Sequence, residues 1–282
     1  MAKIDRLGWA AGFAIESYGT RVGVRVNDPC VLDERAARCQ PVWKPARCEV
    51  DDHLYSLFAA ADSSRTRGLR RFNLLYGDVS RLTRTHDLSE ALEAFESDLQ
   101  LYVAATARRR LFVHAGVVGW RGRAVVLPGR SFAGKTTLVA ALVRAGATYY
   151  SDEYAVFDRA GRVHPYARPL ALREGAGARR RKLAVEALDG AVGERALPVR
   201  LVIVSEYRAG GRFRARRLSQ GQGLLAILAN TVSARRQPEA ALGVLQKVSA
   251  GARVYKGARG EADAAAASIL KLLDEERPLR RV

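Results

Sequence analysis

Ala124-Val-Val-Leu-Pro-Gly129-Arg-Ser-Phe-Ala-Gly134-Lys135-Thr136-Thr137 carries an apolar run straight into a segment that fits G-x-x-x-x-G-K-[ST] at every position. The pattern has a mechanical reading. Gly129 and Gly134 permit backbone conformations that turn successive N–H groups toward one point, and a helix starting near Lys135 adds the positive end of its dipole. Lys135 would then reach the β- and γ-phosphates of a nucleotide, and the Thr136 hydroxyl would ligate Mg²⁺. The flanks agree. Residues 124–127 form a short buried-strand run, and TLVAALVRAG (137–146) reads as an apolar helix closed by Gly146. A chance match in an alanine- and glycine-rich chain is the competing reading, and strand, loop and helix in the required order argue against it. Gly129, Arg130, Ser131, Phe132, Ala133, Gly134, Lys135, Thr136 and Thr137 are therefore expected to line a phosphate site.

At 282 residues and 48% hydrophobic content the chain can bury one large core or two modest ones. It contains no run of about 18 uncharged apolar residues, and MAKIDRLGWAAG lacks the apolar stretch of a signal peptide, so a cytoplasmic location with no membrane span is expected. The three cysteines, Cys30, Cys39 and Cys48, show no C-x-x-C spacing and read as reduced thiols; Cys39, Cys48 and His53 as part of a metal site is the sharper alternative. A net charge of +18, with arginine clusters at 108–110, 179–182, 212–217 and 235–236, raises the question of a polyanion. The clusters lack the interleaved aromatics of a single-strand binding surface. Arginine and alanine enrichment also runs through the whole chain, so nucleic acid is not expected as the main ligand. An acidic peptide or a phosphorylated substrate accounts for the charge equally well.

Outward from the glycine loop, 12–26 contains two alternating runs around Tyr18-Gly19 and predicts a hairpin. Residues 27–52 read as irregular connections, and HLYSLFAA (53–60) and RFNLLYGD (71–78) as strands. Leu88, Leu92, Phe95, Leu99 and Val103 recur at helical intervals over 87–105, with Asp87 as N-cap. A soft boundary near Arg108 divides an N-terminal α+β domain (1–107), expected to recognise substrate or partner, from a nucleotide-binding domain (108–282). The second part supplies LFVHAGVVGW, a turn at 121–123, AVVLPG, the helix, ATYYSDEYAVFD, a turn at 160–161 and RVHPYARPLALRE. Further on come a strand at 199–205 and helices in SQGQGLLAILANTV and EADAAAASILKLLDEE. Helices and strands do not alternate as βαβ units here. The expected fold is therefore α/β with an α+β tendency: a mixed sheet with hairpins beside the loop strand and flanking helices.

A phosphate loop does not say what is done with the nucleotide; a carboxylate must hold the metal or take a proton. Asp152 and Glu153 lie between two apolar runs after the loop's helix and are the best candidates, against the bland reading of two solvated acids in a turn. His114, on the strand before the loop, is by itself a core histidine or a catalytic one. Arg130, Arg168, Arg173, Arg235 and Arg236 are candidate phosphate clamps or surface charges.

Taken together, His114-Ala115-Gly116, the phosphate loop on the next strand and the acidic pair after the following helix resemble the catalytic core of the HPr kinase/phosphorylase family, above all its shorter HPr-kinase-related members. The resemblance covers 111–173. It implies a nucleotide-binding core similar to phosphoenolpyruvate carboxykinase and transfer of a phosphoryl group from ATP to a serine hydroxyl. In that scheme Asp152 takes the hydroxyl proton, Lys135 holds the transferring phosphate, Thr136 with Glu153 or Asp152 binds Mg²⁺, and His114 tunes Asp152. The chain differs in Arg130-Ser131-Phe132-Ala133, where founding members carry an acidic residue and a further glycine, and in Asp-Glu for Asp-Asp. It also lacks their second glycine-rich signature, so neither the reverse phosphorylase reaction nor HPr itself as acceptor is implied. The expected acceptor is a peptide, small protein or metabolite. An ATPase or nucleotide switch, and a basic adaptor, are the competing classes; homo-oligomerisation is left open.

Overall fold

The computed structural model describes residues 3–32, 43–46, 52–60, 72–129, 133–173 and 180–275, with side chains at all of these except 3, 32, 173, 180 and 181. Arg130, Ser131, Phe132, Cys39, Cys48 and Arg179 lie outside the described residues, as does the side chain of Arg173. The chain is mixed α/β and divides into two compact units, Met1–Arg108 and Arg109–Val282. No described helix is long and apolar enough to cross a membrane.

The first unit contains strands β1 (Ala11–Ser17), β2 (Thr20–Val26), β3 (Lys44–Pro45), β4 (His53–Phe58), β5 (Asn73–Gly77) and β6 (Ser80–Thr85), and helix α1 (Leu88–Thr106). They form one sheet in the order β3-β1-β2-β4-β5-β6. The 12–26 region is the expected hairpin, turning at Tyr18-Gly19, and Asp87 caps α1 by accepting from the Ser89 N–H. Helix α1 buries Ala91, Phe95, Leu99 and Val103 against Val22, Val24, Tyr55, Leu57 and Leu75. His53 donates to Asp78 at 2.7 Å and stacks on Tyr102.

The second unit opens with β7 (Leu111–Trp120), β8 (Arg123–Pro128) and α2 (Lys135–Arg144), followed by β9 (Thr148–Ser151), β10 (Tyr154–Phe157), β11 (Arg162–His164), β12 (Leu170–Arg173) and β13 (Arg180–Leu183). Then come β14 (Leu197–Tyr207), β15 (Arg214–Arg217), α3 (Gln220–Leu228), α4 (Pro238–Gly251), β16 (Arg253–Arg259) and α5 (Ala262–Asp274). The main sheet runs β11-β10-β7-β8-β14-β16-β15, with β9 paired to the far half of β7. Strands β8, β14 and β16 are parallel, whereas β7, β10 and β15 pair antiparallel to their neighbours. The sheet is mixed, as the sequence predicts. Strand β11 also pairs with the start of β14, at Arg162↔Pro198 and Val163↔Leu197, so β11, β10, β7, β8 and β14 form a closed circuit of pairings.

Alternation along β8 sorts the core into two layers. Val125 and Leu127 pack with Leu138, Leu142, Ile269 and Leu273 of α2 and α5, while Ala124 and Val126 pack with Ile227, Ala241, Leu245 and Val248 of α3 and α4. Helix α2 ends in paired bonds from Gly146 N–H to Val143 O and from Ala147 N–H to Leu142 O, the arrangement the glycine permits. The far end of α5 is held by Asp274, which accepts from the Trp120 indole at 3.0 Å and pairs with Arg121 and Arg123.

Several segments differ from the sequence reading. The run 162–173 is two strands rather than one, because Pro165 and Pro169 interrupt it and β12 turns instead to pair with β13. The helix expected over 219–232 ends at Leu228; the Asn230 carbonyl accepts from His114 N–H, and Val232 N–H donates to Phe112 O. Helix α4 and strands β15 and β16 had no counterpart in that reading.

Candidate active site

The site grows from the end of β8. Gly129 N–H donates to the His114 carbonyl at 3.1 Å, which ties the start of the loop to β7. Gly134, at the other end, has φ +74°, a left-handed conformation that suits glycine, and is the N-cap of α2. Lys135 folds back over the loop, and its ammonium donates to the Gly129 carbonyl at 2.8 Å. Loop entry and helix start are thus fastened to each other before any ligand is considered. Thr137 is exposed one residue beyond Thr136, and Ala133 is half-buried.

The acidic pair sits beside this loop. Thr136 Oγ1 donates to Asp152 Oδ2 at 2.9 Å, and Tyr149 OH donates to Asp152 Oδ1 and the Arg168 carbonyl, each at 2.9 Å. Both oxygens of Asp152 are engaged. The turn carrying the pair is fixed by buried Ser151, whose Oγ accepts from the N–H groups of Glu153 and Tyr154 at 3.2 and 3.1 Å. The Glu153 carbonyl accepts from Ala115 N–H, which binds the turn to the residue after His114, while the Glu153 side chain is exposed.

Electrostatics knit the same groups. Burial lowers the Lys135 pKa, opposed first by the charge of Glu153 and then by that of Asp152. Burial, followed by the charge of Lys135, lowers the His114 pKa, which favours the neutral imidazole; its ring lies 4.7 Å from that of Tyr154. Burial and the Asp152 charge push the Tyr149 phenol up, so Tyr149 stays a hydrogen-bond donor. Arg168, half-buried, acts electrostatically on Tyr149 and Tyr154. Arg235 and Arg236 are exposed, a few residues beyond the segment that bonds to β7.

The structure therefore brings Gly129, Gly134, Lys135, Thr136, Asp152, Glu153 and His114 to one place. Three contributors are silent in the motif. Tyr149 and Ser151 lie in a run read as a plain strand, where the only cue is that a buried hydroxyl needs a partner. Arg259, at the end of β16, is 3% exposed and donates through Nη2 to the carbonyls of Ala133 and Gly134 at 3.3 and 2.9 Å.

Oxygen donors at this spacing suit a small hard cation. Mg²⁺ usually takes one or two protein carboxylates with substrate phosphates completing its shell, and the Thr136–Asp152 pair fits that requirement. Among the described residues no group of three or more His, Cys, Asp or Glu side chains gathers to hold a metal. No protein-family model matches the chain, and no curated protein matches it.

Proposed function

We propose that residues 109–282 carry an ATP-dependent phosphotransferase site of the HPr-kinase-like kind, which moves the γ-phosphoryl group to a hydroxyl, serine above all, of a peptide, small protein or metabolite. One observation carries the reading: the 2.9 Å hydrogen bond from Thr136 to Asp152 joins the first turn of the glycine-loop helix to the acidic turn, beside the Lys135 ammonium. Loop N–H groups and Lys135 bind the phosphates. Thr136 and Asp152 are the pair suited to Mg²⁺, which when bound would neutralise charge on the β- and γ-phosphates.

This assignment shifts the weight between the carboxylates. Asp152 already holds Thr136 and Tyr149 through its two oxygens, which suits a metal-holding role. Glu153 is exposed and is the leading charge acting on Lys135, so it is the better placed to accept the acceptor's proton. The acceptor oxygen bonds to the γ-phosphorus as the bond to the bridging oxygen breaks; ADP leaves and the hydroxyl proton passes to Glu153. His114, held neutral, lines the same floor as a hydrogen-bonding group rather than as a second cation.

Incubation with labelled ATP, Mg²⁺ and candidate acceptors tests the proposal. Lys135→Ala should cut transfer by about 10²-fold or more. Glu153→Gln should cut it by about 10²-fold or more while nucleotide affinity stays within about twofold. Asp152→Asn should instead weaken Mg²⁺-dependent nucleotide binding. Phosphate released to water at an undiminished rate without any acceptor, and insensitive to Glu153→Gln, would identify an ATPase and overturn the kinase reading.

A further inference from the structure

Arg259 is an unusual group to bury. Its side chain is 3% exposed, yet among the described residues its hydrogen-bond partners are main-chain carbonyls: Ala133 and Gly134 through Nη2, and Gly260 through Nη1 at 3.2 Å. Among the described residues it forms no ion pair with a carboxylate, and its Nε is buried without a partner. Glu261, whose charge acts on it, takes the Tyr207 hydroxyl at 2.8 Å instead. A guanidinium remains charged even where burial disfavours the charge. An interior cation whose hydrogen bonds go to carbonyls, eased only by the Tyr207 ring 5.4 Å away and by the Glu261 charge, is costly, and a loop that merely needed two carbonyls satisfied could be served by a neutral amide. The position is equally specific. A Cβ on Gly134 would collide with Arg259 Nη2, so the guanidinium lies directly against the helix N-cap of the loop.

We infer that Arg259 is a positioning residue and the resident counter-charge of the phosphate site, holding the Ala133 and Gly134 carbonyls at the start of α2, and that its charge is met by that of a polyphosphate bound there. The inference rests on the nucleotide-binding reading above and adds a recognition element from the far end of the fold, 125 residues along the chain from Gly134. The site should accordingly rank ligands by phosphate charge, with tripolyphosphate bound more tightly than pyrophosphate and pyrophosphate more tightly than orthophosphate.

Calorimetric titration of those three anions and of ATP against the wild-type chain, R259Q and R259K is the test, with amide hydrogen exchange over residues 129–136 in the ligand-free proteins. R259Q keeps donors but loses the charge. It should weaken tripolyphosphate and ATP by about tenfold or more and orthophosphate by less, compressing the ranking. R259K should recover part of the affinity and keep the ranking, while exchange over 133–136 quickens in both variants because the planar fork is lost. If R259Q melts too low to titrate, R259K decides through exchange and affinity read together: exchange over 133–136 that quickens while every anion affinity stays within about twofold supports the counter-charge, and affinities that fall in step with that quickening, equally for every anion, leave a purely structural clamp and overturn the inference. Wild-type binding that R259Q leaves within about twofold overturns the inference and spares the kinase reading; a wild-type chain that binds neither tripolyphosphate nor ATP overturns both.

Discussion

At His114 burial and charge act in the same direction, and this makes it a reporter on the site. Desolvation and then the Lys135 charge hold its folded pKa below the usual value of about 6.5. The unfolded chain therefore binds that proton more strongly. The stability at stake is fully present above about pH 6.5 and is lost as the pH falls from there through the lower folded value. Urea midpoints at pH 7.5 and 5 should fall further apart in the wild type than in His114→Asn, and parallel falls would refute the assignment. At this scale Gly129, Gly134, Lys135 and Thr136 were legible because the motif sets them at fixed short spacing, and Asp152 because a paired acidic step between two apolar runs after the loop's helix stands out. Arg259 was not, since it reaches Ala133 across 126 residues and its neighbourhood on β16 carries no pattern of its own. Tyr149 was hidden for a different reason: in a strand, an aromatic that only fills space and one that also orients a carboxylate look alike.

Helix α2 carries Lys135 and Thr136, and its seat is decided by a glycine on another element. A Cβ at Gly116 of β7 would run into Val139 of α2, with Leu127 close behind at 3.6 Å. Gly116→Ala should cost about 1–3 kcal/mol of stability, read from thermal or urea unfolding, and should lower nucleotide affinity by tilting the helix that presents Lys135. Adding Val139→Ala should return part of both losses. A single substitution that leaves stability unchanged would show that α2 does not rest on this contact. The elements that could be read from sequence were those with their own signals: the capped, periodic α1, the hairpin around Tyr18-Gly19 and the strand–loop–helix at 124–146. Helix α4 carries only Pro238 and Glu239 at its start. Its N-cap, Gln237, makes no side-chain cap bond, Gly243 interrupts its middle, and Leu242 is exposed, so its pattern is blurred until the sheet is there to receive Ala241, Leu245 and Val248. Strand β16 likewise becomes a strand by lying between β14 and β15.

On the scale of the second unit, pairing order matters more than any single contact. Because β11 bonds both β10 and β14, five strands leave no unpaired side between them, and the described path of the main sheet ends openly at β15. That last strand is only four residues long and reads Arg-Ala-Arg-Arg, with all three arginines exposed. An unpaired strand offers main-chain donors and acceptors to any other chain, and crowded like charges deter a second copy from taking them. Replacing Arg214, Arg216 and Arg217 together by threonine should therefore make concentrated solutions scatter light and form multimers, while exchanging Arg159, Arg195 and Arg208, with the same loss of charge, should not. Equal behaviour of the two triple variants would mean that net charge alone keeps the molecules apart. On that expectation the arginines of β15 bear on colloidal behaviour, and part of this chain's strong basicity would keep one copy from templating the next.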